Sequence, residues 1–143
     1  MITFNVLRSQ KLSLELGSAQ DALICQVIAW HHFLSAINEN VKNDSTFDNA
    51  LRLWESYKYK DTKKKLSVSL VSHLTNIPFE TTRRKVKKLE KKSWIIYSKK
   101  NGITLNPNSE LNKKIVSIIH PYEKELLTDF LVSFLTSGKS IDL

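Results

Sequence analysis

Glycine and proline are scarce in this chain, three of each in 143 residues. So few turn-forming residues argue against a loop-rich all-β fold and in favour of helices. There is one cysteine, Cys25. It excludes an internal disulfide and any metal site built from cysteines, and a reducing cytosol fits it. Long apolar runs are lacking as well, so no membrane span is expected. The N-terminal "MITFNVLRSQKLSLELGS" has no continuous apolar core of the signal-peptide kind. Also missing are a Gly-rich phosphate loop, H-E-x-x-H and G-x-S-x-G. The expectation is a cytoplasmic, non-enzymatic protein with no cofactor and no membrane partner.

What is present is a globular composition, 41% apolar and 25% charged, enough for a single domain over 1–143 with a real core. The net charge of +8 is unevenly spread. From Lys58 to Lys100 there are fourteen Lys or Arg against three acids (Asp61, Glu80, Glu90), a net of +11. The rest has eight bases against eleven acids, a net of −3. A surface that serves solubility alone mixes its signs. A one-signed segment points to a polyanion, nucleic acid or anionic lipid.

Residues 1–17 alternate weakly and read as an extended arm or a short strand. Ser18 is a fit N-cap, with Asp21 in the first turn. Leu23, Val27, Trp30, Leu34, Ile37 and Val41 then recur at steps of four and three, an a/d seam of almost three heptads. Ile24, Ile28 and His31 widen that stripe, and the helix, 18–42, ends among Asn38 to Asn43. A second helix is expected from Thr46 or Phe47 to Tyr59, then a basic loop. A short strand ends near Leu66, Ser67 caps a two-turn helix, and Asn76 suits a left-handed turn. Pro78 is expected at the first helical position of the next helix, 78–92. Thr82, Val86 and Leu89 share one face of it. Glu80, Arg84, Lys87, Lys88 and Lys91 share the other, with Thr81 and Arg83 at the flanks. Trp94 to Tyr97 and Ile103 to Leu105 form a hairpin, 94–106, around Lys99-Lys100-Asn101-Gly102. A short helix from Ser109 to Ile119 stops at His120-Pro121. A last helix, 121–137, has a wide apolar face that includes Phe130 and Phe134, and Gly138 stops it.

Helix, tight turn, helix, hairpin is the winged helix-turn-helix order. The segment "SVSLVSHLTNIPFETTRRKVKKLEKKSWIIYSKKNGITLNP" resembles the DNA-binding part of bacterial regulators of the multiple-antibiotic-resistance, gluconate-repressor and catabolite-activator types. These share an "x-E-T-V-x-R" helix, an "L-E-x-x-G-L-I" exit and a wing. The matching pieces here are Pro78 to Arg84 and Leu89 to Ile95. The likeness spans about 65–107, within a winged unit of 62–107. By resemblance to the catabolite-activator pattern "R-E-T-x-x-R", Glu80 and Arg84 match base-reading positions and Thr81 a phosphate contact. Phe79 departs from the Arg of that pattern and suits a thymine methyl. Asn76 stands where Gly is usual, and Thr82 where Val is common. The hydroxyl of Thr82 needs a partner, such as the carbonyl one turn back.

The fold expected is mainly α with a small β-hairpin wing, a winged helix-turn-helix flanked by N- and C-terminal dimerisation helices. The partner expected is double-stranded DNA. Arg84 suits guanine O6/N7 and Glu80 suits cytosine N4, with Thr81 and Arg83 beside them. Lys87, Lys88 and Lys91 follow the backbone, Ser67 caps the preceding helix near a phosphate, and Lys99 and Lys100 ride the wing tip. In the multiple-antibiotic-resistance type, terminal helices pair two subunits. That likeness, with the heptad from Leu23 to Val41, implies a homodimer through Leu23, Val27, Trp30, Leu34, Ile37, Phe130 and Phe134, the alternative being that the terminal helices, 121–137 above all, complete a monomer core. A small-molecule effector stays open.

Other readings stand beside these. The basic helix face is also what a solvated surface looks like. A membrane-surface helix needs a stronger apolar face than Thr82, Val86 and Leu89 give. A winged helix also serves as a protein-interaction or replication/assembly module, its basic face meeting an acidic partner. RNA binding would ask for stacking aromatics on an exposed sheet, where Tyr97 and Trp94 are the candidates. His31 and His32 point about 100° apart on a helix, so no metal site is expected. Cys25 reads as a small buried residue, and Trp30, Trp54 and Trp94 read as core.

Overall fold

The fold is that of a computed structural model, which describes residues 2–40 and 65–137, with side chains from 2 to 35 and 65 to 137. The helix expected over 47–59, Trp54, Val41 and the side chain of Ile37 lie outside the described residues. Within them the chain is mainly helical with one small two-stranded antiparallel sheet.

Residues 2–16 form α1 (Ile2–Leu16), not the extended arm or short strand that the alternation suggests. Helix wins because Leu12 and Leu16, four apart, bury one above the other. Lys11 and Glu15 pair across the same spacing at 3.1 Å. The Gly17 N–H donates to the Ser13 carbonyl at φ +114, turning the chain. In the next helix, α2 (Ala19–Asn40), the Asp21 N–H donates to Ser18 Oγ at 3.1 Å, and the same hydroxyl donates to Asp21 Oδ2 at 2.7 Å. Ser18 therefore caps as its sequence position implies.

α2 is the central strut. Its inner face buries Ala22, Ile24, Cys25, Ile28 and His32. Leu66, isolated before the next helix, forms a parallel bridge to Gly102. Ser67 caps α3 (Val68–Thr75), its Oγ accepting from the Leu70 N–H at 3.1 Å. Asn76 takes φ +54, the left-handed turn its side chain tolerates. Pro78 is not the first helical residue. With ψ 140 it is still extended, and its carbonyl accepts the first helical bond, from the Thr82 N–H at 2.9 Å. It is the N-cap of α4 (Phe79–Lys91).

Strands β1 (Ile95–Ser98) and β2 (Gly102–Leu105) pair from Ile95↔Leu105 to Ser98↔Gly102. All four residues of β2 are buried, since β2 lies between β1 and Leu66 with α2 packed against it. Trp94 is buried just before β1, as its sequence context implied.

The break expected at His120-Pro121 does not occur. Ser109 caps α5 (Glu110–Lys114), a π-helical turn follows over Ile115–Ile119, and α6 (His120–Thr136) continues from it. Proline lacks a donor and crowds the carbonyl four residues back. The wider π turn is one of the known ways to accommodate such a defect without ending a helix. α6 returns to α1, where Arg8 Nε donates to Glu123 Oε1 at 2.6 Å and the rings of Phe4 and Phe130 lie 6.2 Å apart.

Candidate nucleic-acid interface

α4 is held by one face and offers the other. Thr82, Val86 and Leu89 recur at steps of four and three and are all buried. The Thr82 hydroxyl donates toward the carbonyls of Ile77 and Pro78, each at 3.2 Å. A buried hydroxyl without a partner costs about 1–3 kcal/mol, so this contact is what makes Thr tolerable there. The helix ends at Lys91 with Lys92 as C-cap, and Ser93, φ +57, turns the chain, the Trp94 N–H returning to the Leu89 carbonyl at 3.1 Å. Asn106 fastens this exit, donating to the Ser93 carbonyl from its side chain and to the Trp94 carbonyl from its backbone.

The opposite face carries a shallow open groove lined by Glu80, Thr81, Arg83, Arg84, Lys87, Lys88 and Lys91. All but Thr81, which is half-buried, are exposed. Arg83 grips Glu80 through Nε and Nη2 at 3.0 and 2.8 Å. One acid and one base of the groove therefore neutralise each other. Arg84, Lys87, Lys88 and Lys91 form no ion pair with any other described residue. The result is a row of cations along one helix face that no described acid meets in an ion pair.

Not every basic side chain joins that row. Lys85, on the same helix, turns inward and meets Asp21 Oδ1 at 2.9 Å. Burial opposes ionisation of Asp21, but the hydrogen bonds from Lys85 and Ser18 and the nearby charge of Lys88 outweigh it, and its carboxyl titrates below the ordinary value. Lys92 lies over the Trp94 ring, 4.6 Å from its centroid.

Lys99 and Lys100 sit on the hairpin turn, and they, Ser67 and Phe79 all lie outside the groove. Lys65 was missed as a site residue. It donates to the Lys99 carbonyl at 3.2 Å, which brings a third lysine to the hairpin tip. The contact spans 34 residues, so no local pattern announces it. Leu70, Leu74, Phe79, Ile96 and Tyr97 are exposed apolar residues of α3, α4 and β1.

The seam of α2 faces outward. Leu23, Trp30 and Leu34 are 45%, 54% and 52% exposed, and Val27 is half-buried. Ile24 and Ile28, expected to widen that stripe, lie on the buried face instead. Trp30 is therefore not a core residue, and it meets Phe33 edge-on at 5.7 Å. His32, not His31, is the deeply buried histidine. From Ala22 to Asn38 the helix holds no Asp, Glu, Lys or Arg. On α6, Phe130 is half-buried and stacks toward Phe134 at 6.3 Å, while Leu127, Leu131 and Leu135 stand exposed.

Cys25 is buried, and loss of solvent pushes its thiol up to about 12. No group of three or more His, Cys, Asp or Glu among the described residues is arranged to hold a metal. No helix among them is long and apolar enough to cross a membrane. The chain matches no family model, no curated protein and no solved structure.

Proposed function

We propose that this chain is a sequence-specific regulator of transcription that binds double-stranded DNA as a dimer through a winged helix-turn-helix. The observation that carries the reading is the division of α4. Thr82, Val86 and Leu89 anchor it, while Arg84, Lys87, Lys88 and Lys91 form an exposed cationic row with no ion pair among the described residues. The order α3, left-handed Asn76, α4 and hairpin supports the same reading.

In this account α4 enters the major groove. Arg84 reads guanine, and Glu80, Thr81, Arg83 and Phe79 meet neighbouring base edges or phosphates. Lys87, Lys88 and Lys91 meet phosphates, whose neutralisation supplies most of the affinity and its salt dependence. Ser67, at the α3 N-terminus, has its oxygen engaged by the Leu70 N–H and still has a hydroxyl proton to give a phosphate. Lys99 and Lys100, joined by Lys65, sit at the wing.

The outward seam of α2 and the exposed face of α6 form the dimer interface. The stretch of α2 from Ala22 to Asn38, without Asp, Glu, Lys or Arg, suits contact between two copies of a cationic chain, which would otherwise repel. A two-fold dimer asks for half-sites about one helical turn apart.

A second reading draws on exposed Leu70, Leu74 and Phe79. A winged helix used as a protein-interaction or replication/assembly module would cover them with an acidic, partly apolar partner. Selection from random duplex DNA separates the two. Enrichment of a pseudo-palindromic motif supports the regulator. Binding without preference, or no binding, supports the module.

A further inference from the structure

α4 carries six basic residues, and one of them points away from the groove. Lys85 keeps only 17% of its side chain exposed and Asp21 only 14%, and their charged atoms meet at 2.9 Å. The two residues lie 64 positions apart. Asp21 is itself held, since Ser18 Oγ donates to its other oxygen at 2.7 Å and Asp21 sits in the first turn of α2. A largely buried ion pair is a poor way to gain stability, because desolvation offsets much of its attraction. An apolar residue at 85 would extend the Thr82, Val86, Leu89 face without that penalty.

What such a pair supplies is direction. Buried contacts at Thr82, Val86 and Leu89 hold α4 against the core without a directional bond to α2, and the Lys85–Asp21 pair adds one. Lys85 lies on the flank of that stripe, where a fixed partner on α2 sets the roll. At a side-chain radius of about 5–6 Å, a roll of about 10° moves a side-chain tip by about 1 Å. That is enough to break a bidentate hydrogen bond to a base edge, while a lysine on a phosphate adjusts through its flexible stem.

We propose that Asp21 and Lys85 are positioning residues that fix the roll of α4 against α2, and so set DNA sequence preference rather than general affinity. This rests on the DNA-binding reading above. It also gives α2 two roles, since the helix whose outer face holds Leu23 and Trp30 carries Asp21 at its start.

The test compares wild type with Asp21→Asn, Lys85→Met and Lys85→Arg on two duplexes, the sequence selected by wild type and a scrambled one. Asp21→Asn removes one negative charge and Lys85→Met removes one positive charge, so a pure charge effect moves the two in opposite directions. The positioning role predicts that both lower the ratio of selected to scrambled affinity by about tenfold, with scrambled affinity changed far less. Lys85→Arg keeps the link and holds the ratio near wild type. Circular dichroism identifies the folded variants, and Asp21→Asn, nearly isosteric, carries the test alone if Lys85→Met does not fold. If the folded variants keep the wild-type ratio within twofold, the positioning role is overturned. If wild type itself shows no preference, the DNA-binding reading fails first and takes this inference with it.

Discussion

The backbone N–H of Ile103 donates to the Leu66 carbonyl at 2.8 Å, so the chain before α3 is stitched onto the hairpin. The close approach depends on Gly102. It has φ +71, and a Cβ there would stand 2.5 Å from the Leu66 oxygen, a backbone atom that cannot swing aside. Gly102→Ala therefore meets both a left-handed penalty of about 1–2 kcal/mol and a steric clash. The urea midpoint should fall by at least the equivalent of the first, with an unchanged slope. An unmoved midpoint would contradict the stitching described here.

The outward seam of α2 predicts an oligomer that can be broken without unfolding the subunit. Leu23 and Leu34 are about half exposed in the single chain. Replacing both by lysine should cost the isolated subunit little, in the range of about 0.5 kcal/mol per surface site. Light scattering should show a dimer for wild type and half that mass for Leu23→Lys/Leu34→Lys, with an unchanged circular dichroism spectrum. A wild-type monomer, or a variant of undiminished mass, would refute the seam as interface.

Acid should dissolve the Asp21 link. The folded-state value of this carboxyl lies below its unfolded one of about 3.9, so its contribution is complete above that pH. The contribution is lost as pH falls through the lower, folded value. The stability gap between wild type and Asp21→Asn should accordingly be largest near neutrality and shrink toward about pH 2. Chemical denaturation at several pH values reads it directly, and a gap that widens on acidification would reverse the assignment.

Cys25 should be silent toward thiol reagents. It is 1% exposed, and its thiol is pushed up to about 12, so very little thiolate exists at neutral pH. Ellman's reagent should label it stoichiometrically in denaturant and very slowly in the native protein. Fast native labelling would place Cys25 at the surface.

The parts legible in the sequence were those with a local cause. Asn76, Pro78 and the spacing of Thr82, Val86 and Leu89 mark the turn and the buried face of α4 within fourteen residues, Asn76 to Leu89. Cys25 and Trp94 read as buried, and they are. The parts that were not legible depend on distant partners. α1 looks like a strand until Leu12 and Leu16 are buried and Phe4 and Arg8 meet α6. Pro121 looks like a stop, yet α6 continues directly from the π turn that precedes it. Lys85 is one cation among six until Asp21, in another helix, claims it. The a/d seam was legible as an apolar stripe, but its outward orientation was not, because Ile24 and Ile28 compete for the core on the adjoining face.

The central claim is that α4 reads DNA sequence, and the ratio of affinities for a selected and a scrambled duplex, compared between wild type and Arg84→Ala, tests it most directly. The account predicts that wild type prefers the selected duplex. It predicts that Arg84→Ala loses about 1–3 kcal/mol of that preference while keeping most of its affinity for the scrambled one. A wild type that binds both duplexes alike, or an Arg84→Ala variant with the wild-type ratio, would contradict it.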